Sequence, residues 1–89
     1  MEKQGPSLGF RQKDRRLFLD MLREMRIKKG LRQSDVARLL GHKQGFVSKY
    51  EIGERRLAFL DLVCVCDALD VPIVDFVRQF DKERRRHQP

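Results

Sequence analysis

The chain has 89 residues, 40% of them apolar, and a formal net charge of +7. That length makes one domain near the small end of what burial alone can fold, and no apolar stretch is long enough to span a membrane. Two cysteines spaced as Cys64-x-Cys66, with no second pair, argue against both a disulfide scaffold and a zinc finger.

Residues 1–13 contain Gly5, Pro6, Ser7 and Gly9 with little periodicity, and are expected to form a flexible basic arm. Leu8 and Phe10 are its only large apolar side chains besides Met1. Arg11, Lys13, Arg15 and Arg16 suit either an arm along a phosphate backbone or a solvated tail. The N-terminus is polar and lacks a secretory leader pattern, so a cytoplasmic location is expected. Asp14 then offers an N-cap for a first helix running to about Lys29 and closed by Gly30. Phe18, Leu22 and Met25 give it a core stripe at i, i+4, i+7. Leu17, Met21 and Ile27 lie partly off that stripe, an excess that fits packing under the N-terminal segment or a partner surface.

From Gln33 to Leu40 the helix period returns, with Val36, Ala37 and Leu40 on one face. Gly41 breaks it where a tight turn needs a residue tolerating positive φ. A second run, with Phe46, Val47 and Tyr50 apolar, ends before Gly53, which suits a helix C′ position. Ala37 sits four residues before the turn glycine and Val47 six after it. Two short helices crossing steeply over a tight turn need that pattern: a small side chain where backbones approach, and an apolar wedge opposite. The spacing predicts a helix-turn-helix. Gly53-Glu54-Arg55-Arg56 is the following loop. A fourth helix is expected over about Phe59 to Leu69, with Phe59, Leu62, Val65, Cys66 and Leu69 inward and Leu60 and Cys64 forming a short exposed apolar strip. Pro72 opens a fifth helix, in which Ile73, Phe76, Val77 and Phe80 make the core stripe and Val74 falls off it. The folded domain is therefore expected at 14–80, followed by a basic tail at 81–89 that either extends the last helix to about Arg86 or is solvated.

Charge is segregated along these elements. The net charge is +3 over residues 1–16, +5 over 17–56, −3 over 57–80 and +2 over 81–89. A basic half followed by an acidic one favours a basic face toward phosphate, although basic tails also serve solubility alone. No Ser/His/Asp, Cys/His or paired-carboxylate arrangement appears, and the two histidines, His42 and His87, fall in a turn and a tail. Neither enzymatic activity nor a metal or cofactor is expected.

The segment from Leu22 to Val77 resembles the lambda-repressor/Cro-type helix-turn-helix family, also called the XRE family. LREMRIKKGLRQSDVARLLG, then VSKYEIGERR, then CDALDVPIVDFV follow its pattern in register over roughly 55 of the 89 residues. The resemblance implies an all-α, compact five-helix bundle of the lambda-repressor-like type. It binds double-stranded DNA, usually as a two-fold dimer, with the second helix of the unit in the major groove. It also implies an ion pair between Arg26 and Glu51, and base reading from the positions of Gln44, Gly45 and Lys49, with Ser48 facing outward beside them. Glutamine pairs bidentately with adenine and lysine reaches guanine, whereas Gly45 permits only close approach. The loop after the second helix grips phosphates in relatives, which points to Arg55 and Arg56. Cys66 takes a position usually held by alanine and reads as a small buried filler. Phe46 is placed at the core edge or against a thymine methyl.

Two departures stand out. Arg32 and Lys43 occupy positions where the family favours a small capping residue, leaving N–H groups at both helix starts without a side-chain acceptor. A phosphate oxygen would satisfy them, with Arg32 and Lys43 adding charge and Gln33 a further contact; frayed or hydrated ends are the alternative. Dimerisation through the end of the helical region, as relatives commonly do, points to Leu60, Cys64, Val74 and Phe80. The expected function is that of a sequence-specific transcriptional regulator, a repressor acting by operator occupancy as a homodimer, with no room for a separate effector domain. An antitoxin or adaptor-type module working through a bound protein partner is the alternative.

Overall fold

A computed structural model describes residues 12–86 of the chain. Five helices follow one another: α1 (Gln12–Lys28), α2 (Gln33–Leu40), α3 (Gln44–Glu51), α4 (Phe59–Ala68) and α5 (Ile73–Arg86). The all-α five-helix architecture expected from the sequence is the one observed, and no strand occurs among the described residues. α1 lies against α3 and α5, while α2 packs chiefly on α3 and also on α4. The helix-turn-helix unit is thereby wedged between the first helix and the last two.

Local chemistry sets the helix ends. After α2, Gly41 takes a left-handed φ of 73°, and the His42 N–H reaches back to the Ala37 carbonyl at 2.9 Å. That backward bond satisfies a carbonyl left over at the helix end and turns the chain into α3. α3 closes in the same way: Gly53 has φ 88°, and the Glu54 N–H reaches the Lys49 carbonyl at 2.8 Å. The turn from α4 to α5 uses Asp70 at φ 57°, the one non-glycine residue with positive φ among those described. Aspartate tolerates this conformation better than most side chains.

The core joins all five helices. Leu22, Val36, Val47, Tyr50, Val65, Cys66, Leu69 and Phe76 are essentially inaccessible to solvent. Phe18 on α1 meets Phe76 and Phe80 of α5 edge-on, with centroids 5.9 and 6.2 Å apart. Burial pushes the Cys66 thiol up to about 11, the behaviour of a small apolar filler rather than a reactive thiol.

Three expectations are corrected. The α1 stripe is rotated: Leu19, Met21, Leu22 and Arg26 are buried, while Phe18 and Met25 are only partly covered. Phe59 and Val77, expected in the core, are 64% and 47% exposed, because among the described residues no element packs over the outer faces of α4 and α5 where they stand. Lys13, Arg15 and Arg16 belong to no arm, since α1 already begins at Gln12, two residues before the expected cap Asp14. At the other end, α5 continues to Arg86 and carries residues 81–86 within a helix. The expectations for Leu8, Phe10, Arg11 and His87 lie outside the described residues.

Candidate nucleic-acid interface

The outward face of α3 is held from beneath by charged groups of α1. Arg26 is a buried guanidinium whose Nε and a terminal nitrogen reach the two carboxylate oxygens of Glu51 at 2.7 and 3.0 Å. Glu51 is 3% exposed, and a paired fork of this kind is the geometry in which a buried carboxylate is tolerated. The Arg26 guanidinium also donates to the Leu31 carbonyl at 2.9 Å, tying in the α1–α2 loop. Arg16 donates to the Glu51 carbonyl at 2.8 Å and Arg15 to the Gly53 carbonyl. Carbonyls at a helix C-terminus carry partial negative charge and lack intrahelical donors, so two guanidinium groups fit there electrostatically. Both arginines, expected in an N-terminal arm, thus tie α1 to the C-terminal end of α3. Their partners lie 38 and 35 residues away in sequence, and no local pattern marks such a pairing.

On the outward side, Gln44, Gly45 and Lys49 are exposed and Ser48 is half-buried. Gln44 donates through Nε2 to Oε1 of Gln33 at 3.2 Å, and Gln33 donates through its own Nε2 to Glu51 at 3.0 Å. The Ser48 hydroxyl turns back onto the Gly45 carbonyl of its own helix at 3.2 Å. A Cβ built on Gly45 would meet nothing within 4 Å, so nothing inside the protein requires glycine there.

The two helix starts differ, although both lack the usual capping residue. Asp35, three residues into α2, accepts the Arg32 backbone N–H at 2.8 Å, and its carboxylate also binds the Arg32 and Arg38 guanidinium groups at 3.1 and 3.0 Å. The hydrogen bond from the Arg32 side chain holds the Asp35 carboxyl well below the usual carboxylate range, helped by the Arg32 backbone N–H and by Arg38. Two guanidinium groups against one carboxylate leave this corner net positive. An acid three residues after the cap position was the readable signal for it, and Ala58 with Asp61 repeats the arrangement at α4. Lys43, by contrast, precedes α3 with no side-chain cap.

Phe46 organises the flank. The His42 ring stacks on it at 4.2 Å and 10°, and the Arg55 guanidinium lies 4.7 Å from the ring centroid. Tyr50 meets the ring edge-on at 5.6 Å. Phe46 is thus half-buried at the core edge and draws Arg55 from the loop toward the first turn of α3, while Arg56 is exposed beyond it. Lys43 precedes the first turn of α3, Arg55 reaches Phe46 in it, Lys49 lies in the last turn, and Arg56 is exposed in the loop that follows.

A second exposed surface lies across α4 and α5. Leu60, Phe59, Val74 and Val77 are 73%, 64%, 59% and 47% exposed, Cys64 is exposed, and Phe80 is half-buried at the edge. Five apolar residues of the two helices, with Arg78, Asp81 and Arg84 at the rim, line an open groove of about 630 Å³. No helix among the described residues is long and apolar enough to cross a membrane.

A helix-turn-helix family model matches residues 22–76. No curated protein sequence matches closely. Among solved structures, the chain is similar to an XRE-family-like protein from Pseudomonas syringae pv. tomato, with 29% identity, 81% of this chain and 88% of that one covered, and a TM-score of 0.78. It is also similar to the restriction-modification controller protein C.AhdI from Aeromonas hydrophila, with 31% identity, 72% and 97% covered, and a TM-score of 0.66. The clp gene regulator ClgR from C. glutamicum follows with 25% identity, 78% and 88% covered, and a TM-score of 0.68.

Proposed function

The chain belongs to the XRE-type helix-turn-helix family, whose members are DNA-binding regulators of transcription rather than enzymes, and we propose that it is a cytoplasmic repressor occupying a two-fold operator as a homodimer. The observation that carries this reading is the exposed row Gln44, Gly45 and Lys49 on a helix anchored from behind by Arg15, Arg16 and Arg26. Rigid placement matters because a base edge is read at hydrogen-bond distance, where a small displacement loses the contact. Gln44 has the donor and acceptor that adenine N7 and N6 require, and Lys49 suits guanine O6 and N7. Ser48 contributes at the edge of the row. Gly45 lets the backbone of α3 approach the DNA.

Phosphate contacts set register. Arg55 and Arg56 act from the loop, with Arg55 pre-positioned on Phe46. Lys43 acts at the uncapped start of α3, where N–H groups and the helix dipole favour an anion. Arg32 and the backbone N–H of Gln33 serve the net-positive corner at α2 more weakly, because Asp35 already neutralises part of it. Exposed Leu60 and Cys64 on α4 and the groove lined by Val74 and Phe80 support dimerisation, since exposed apolar patches mark association sites. A restriction-modification controller and a clp gene regulator among the similar structures support the regulatory class.

The same apolar surface supports a second reading, an antitoxin or adaptor that binds another protein there. In-vitro selection from random duplex DNA separates the two. An enriched inverted repeat with half-site centres about one helical turn apart supports the dimeric regulator. Salt-sensitive binding without sequence enrichment overturns it in favour of the partnered module.

A further inference from the structure

Resting on the reading of Gln44 as a base-contacting residue, we propose that Glu51 is a positioning residue for DNA specificity: through Gln33 it fixes which way the Gln44 amide faces and so sets the preference for adenine. Gln44 and Glu51 stand seven residues apart on α3, two turns along one face and roughly 10 Å in rise. Glu51 is 3% exposed and cannot reach a base. Gln33, at the start of α2, lies across both.

The direction of the chain of bonds follows from what each group can do. The Glu51 carboxylate, paired with Arg26 at 2.7 and 3.0 Å, is ionised and only accepts. Whatever faces it must donate, so the Gln33 amide is obliged to turn its nitrogen inward, and it does so at 3.0 Å. Its oxygen is then left pointing outward. A carbonyl oxygen only accepts, so Gln44 must meet it with its own nitrogen, at 3.2 Å. One N–H and the oxygen of Gln44 remain on the exposed surface in a single order. Adenine presents an acceptor, N7, beside a donor, the N6 amino group, and the ordered amide matches both; guanine presents two acceptors, N7 and O6. A free glutamine amide populates both orders, and in the flipped one its oxygen meets N7. Three side chains thus carry the polarity of a buried charge to the surface without moving.

The test uses duplexes with a half-site recovered by selection, prepared with each of the four base pairs at the position where Gln44→Ala flattens the preference. Affinity is read by fluorescence anisotropy. The parent protein is expected to favour adenine over guanine by roughly tenfold. Gln33→Met, which keeps the Arg26–Glu51 pair, is expected to cut that preference to about twofold while leaving the melting temperature close to the parent's. Glu51→Gln is expected to cut it equally, with no further loss in the double variant, because the two act in series. A uniform loss of affinity across all four base pairs in Gln33→Met overturns the proposal, since that is the signature of a phosphate contact alone. Should Glu51→Gln fail to fold, the role of Glu51 is read in the unsubstituted protein from the side-chain amide of Gln33. A rigid amide by ¹⁵N relaxation supports it, and one as mobile as an exposed glutamine overturns it. A Gln44→Ala protein with unaltered preference everywhere overturns the base-reading premise itself, a result separate from failure at Gln33.

Discussion

The first three helices and the last two use their charged side chains differently. In α1–α3 three basic side chains reach across the fold, Arg15, Arg16 and Arg26 closing on the end of α3, beside local pairs of Arg16 with Asp20 and of Arg32 and Arg38 with Asp35. In α5 they pair within their own helix, Arg78 with Asp75, Arg84 and Arg85 with Asp81, and Arg86 with Glu83, all at three- or four-residue spacing. Exposed pairs of that kind contribute a few tenths of a kcal/mol at most, whereas a buried fork decides whether α3 is held at all. Large exposed apolar side chains occur in both regions, Ile27, Leu39 and Ile52 in the first and Phe59, Leu60, Val74 and Val77 in the second, where Phe59, Val74 and Val77 line one groove. Net charge is therefore a poor guide to the proposed DNA face. Lys43, Lys49, Arg55 and Arg56 reach solvent on or next to α3, whereas Arg15, Arg16 and Arg26 are engaged inside the fold.

The largest effect is expected where this contrast is sharpest. Arg26→Ala leaves the Glu51 carboxylate buried without its partner, at a cost of about 3–5 kcal/mol, a large share of the stability of a domain this small. Urea unfolding measures it directly. Arg78→Ala serves as the counterpart on α5, and a midpoint change beyond about 0.5 kcal/mol there would erase the distinction between the two regions.

Next in size is the apolar surface. Val74→Asp replaces a 59% exposed side chain, so the helical signal is expected to persist. Self-association is expected to weaken by roughly a hundredfold, as for a central interface residue, read by sedimentation equilibrium. Binding to a duplex with two half-sites falls with it, while binding to a single half-site stays near the parent value. An unchanged dimer would remove this surface from the interface.

The same division explains what the sequence disclosed. The helix-turn-helix was legible because Ala37, Gly41 and Val47 are local constraints on one turn, each needed within ten residues of the others. The expected α1 stripe of Phe18, Leu22 and Met25 does pack on the core, but it misses its most buried row, Leu19, Leu22 and Arg26 at i, i+3, i+7, because a charge at a core position interrupts an apolar pattern. Phe59 and Val77 have the periodicity of core residues, and periodicity marks a face to be covered without saying whether this chain or another covers it. The Gln33–Glu51 and Arg16–Glu51 contacts span 18 and 35 residues, so only the fold brings them together.

Within the proposed DNA face, Lys49 and Arg55 test whether reading and gripping are separate. Lys49→Ala is expected to relax preference at one base position at a cost of about 1–3 kcal/mol. Arg55→Ala is expected to weaken binding to all sequences alike and to lower the salt slope by about 1. Equal behaviour of the two in titrations at several salt concentrations would collapse the assignment of roles.

The smallest effect has two signs in one protein. Gly45 lies in the first turn of α3 without a positive φ, and a Cβ there has open space around it. Alanine has no steric cost inside the fold and restricts the unfolded chain, so Gly45→Ala is expected to raise stability by about 0.5–1 kcal/mol. The same methyl group points to where DNA would lie, and affinity for the selected site is expected to fall as stability rises. Thermal melting and anisotropy on one preparation measure both. A more stable protein with undiminished affinity would mean that the backbone of α3 stands back from the groove and that reading falls to the long side chains of Gln44 and Lys49. A loss on both counts would mean that Gly45 answers a constraint of the fold, which the open space around it argues against.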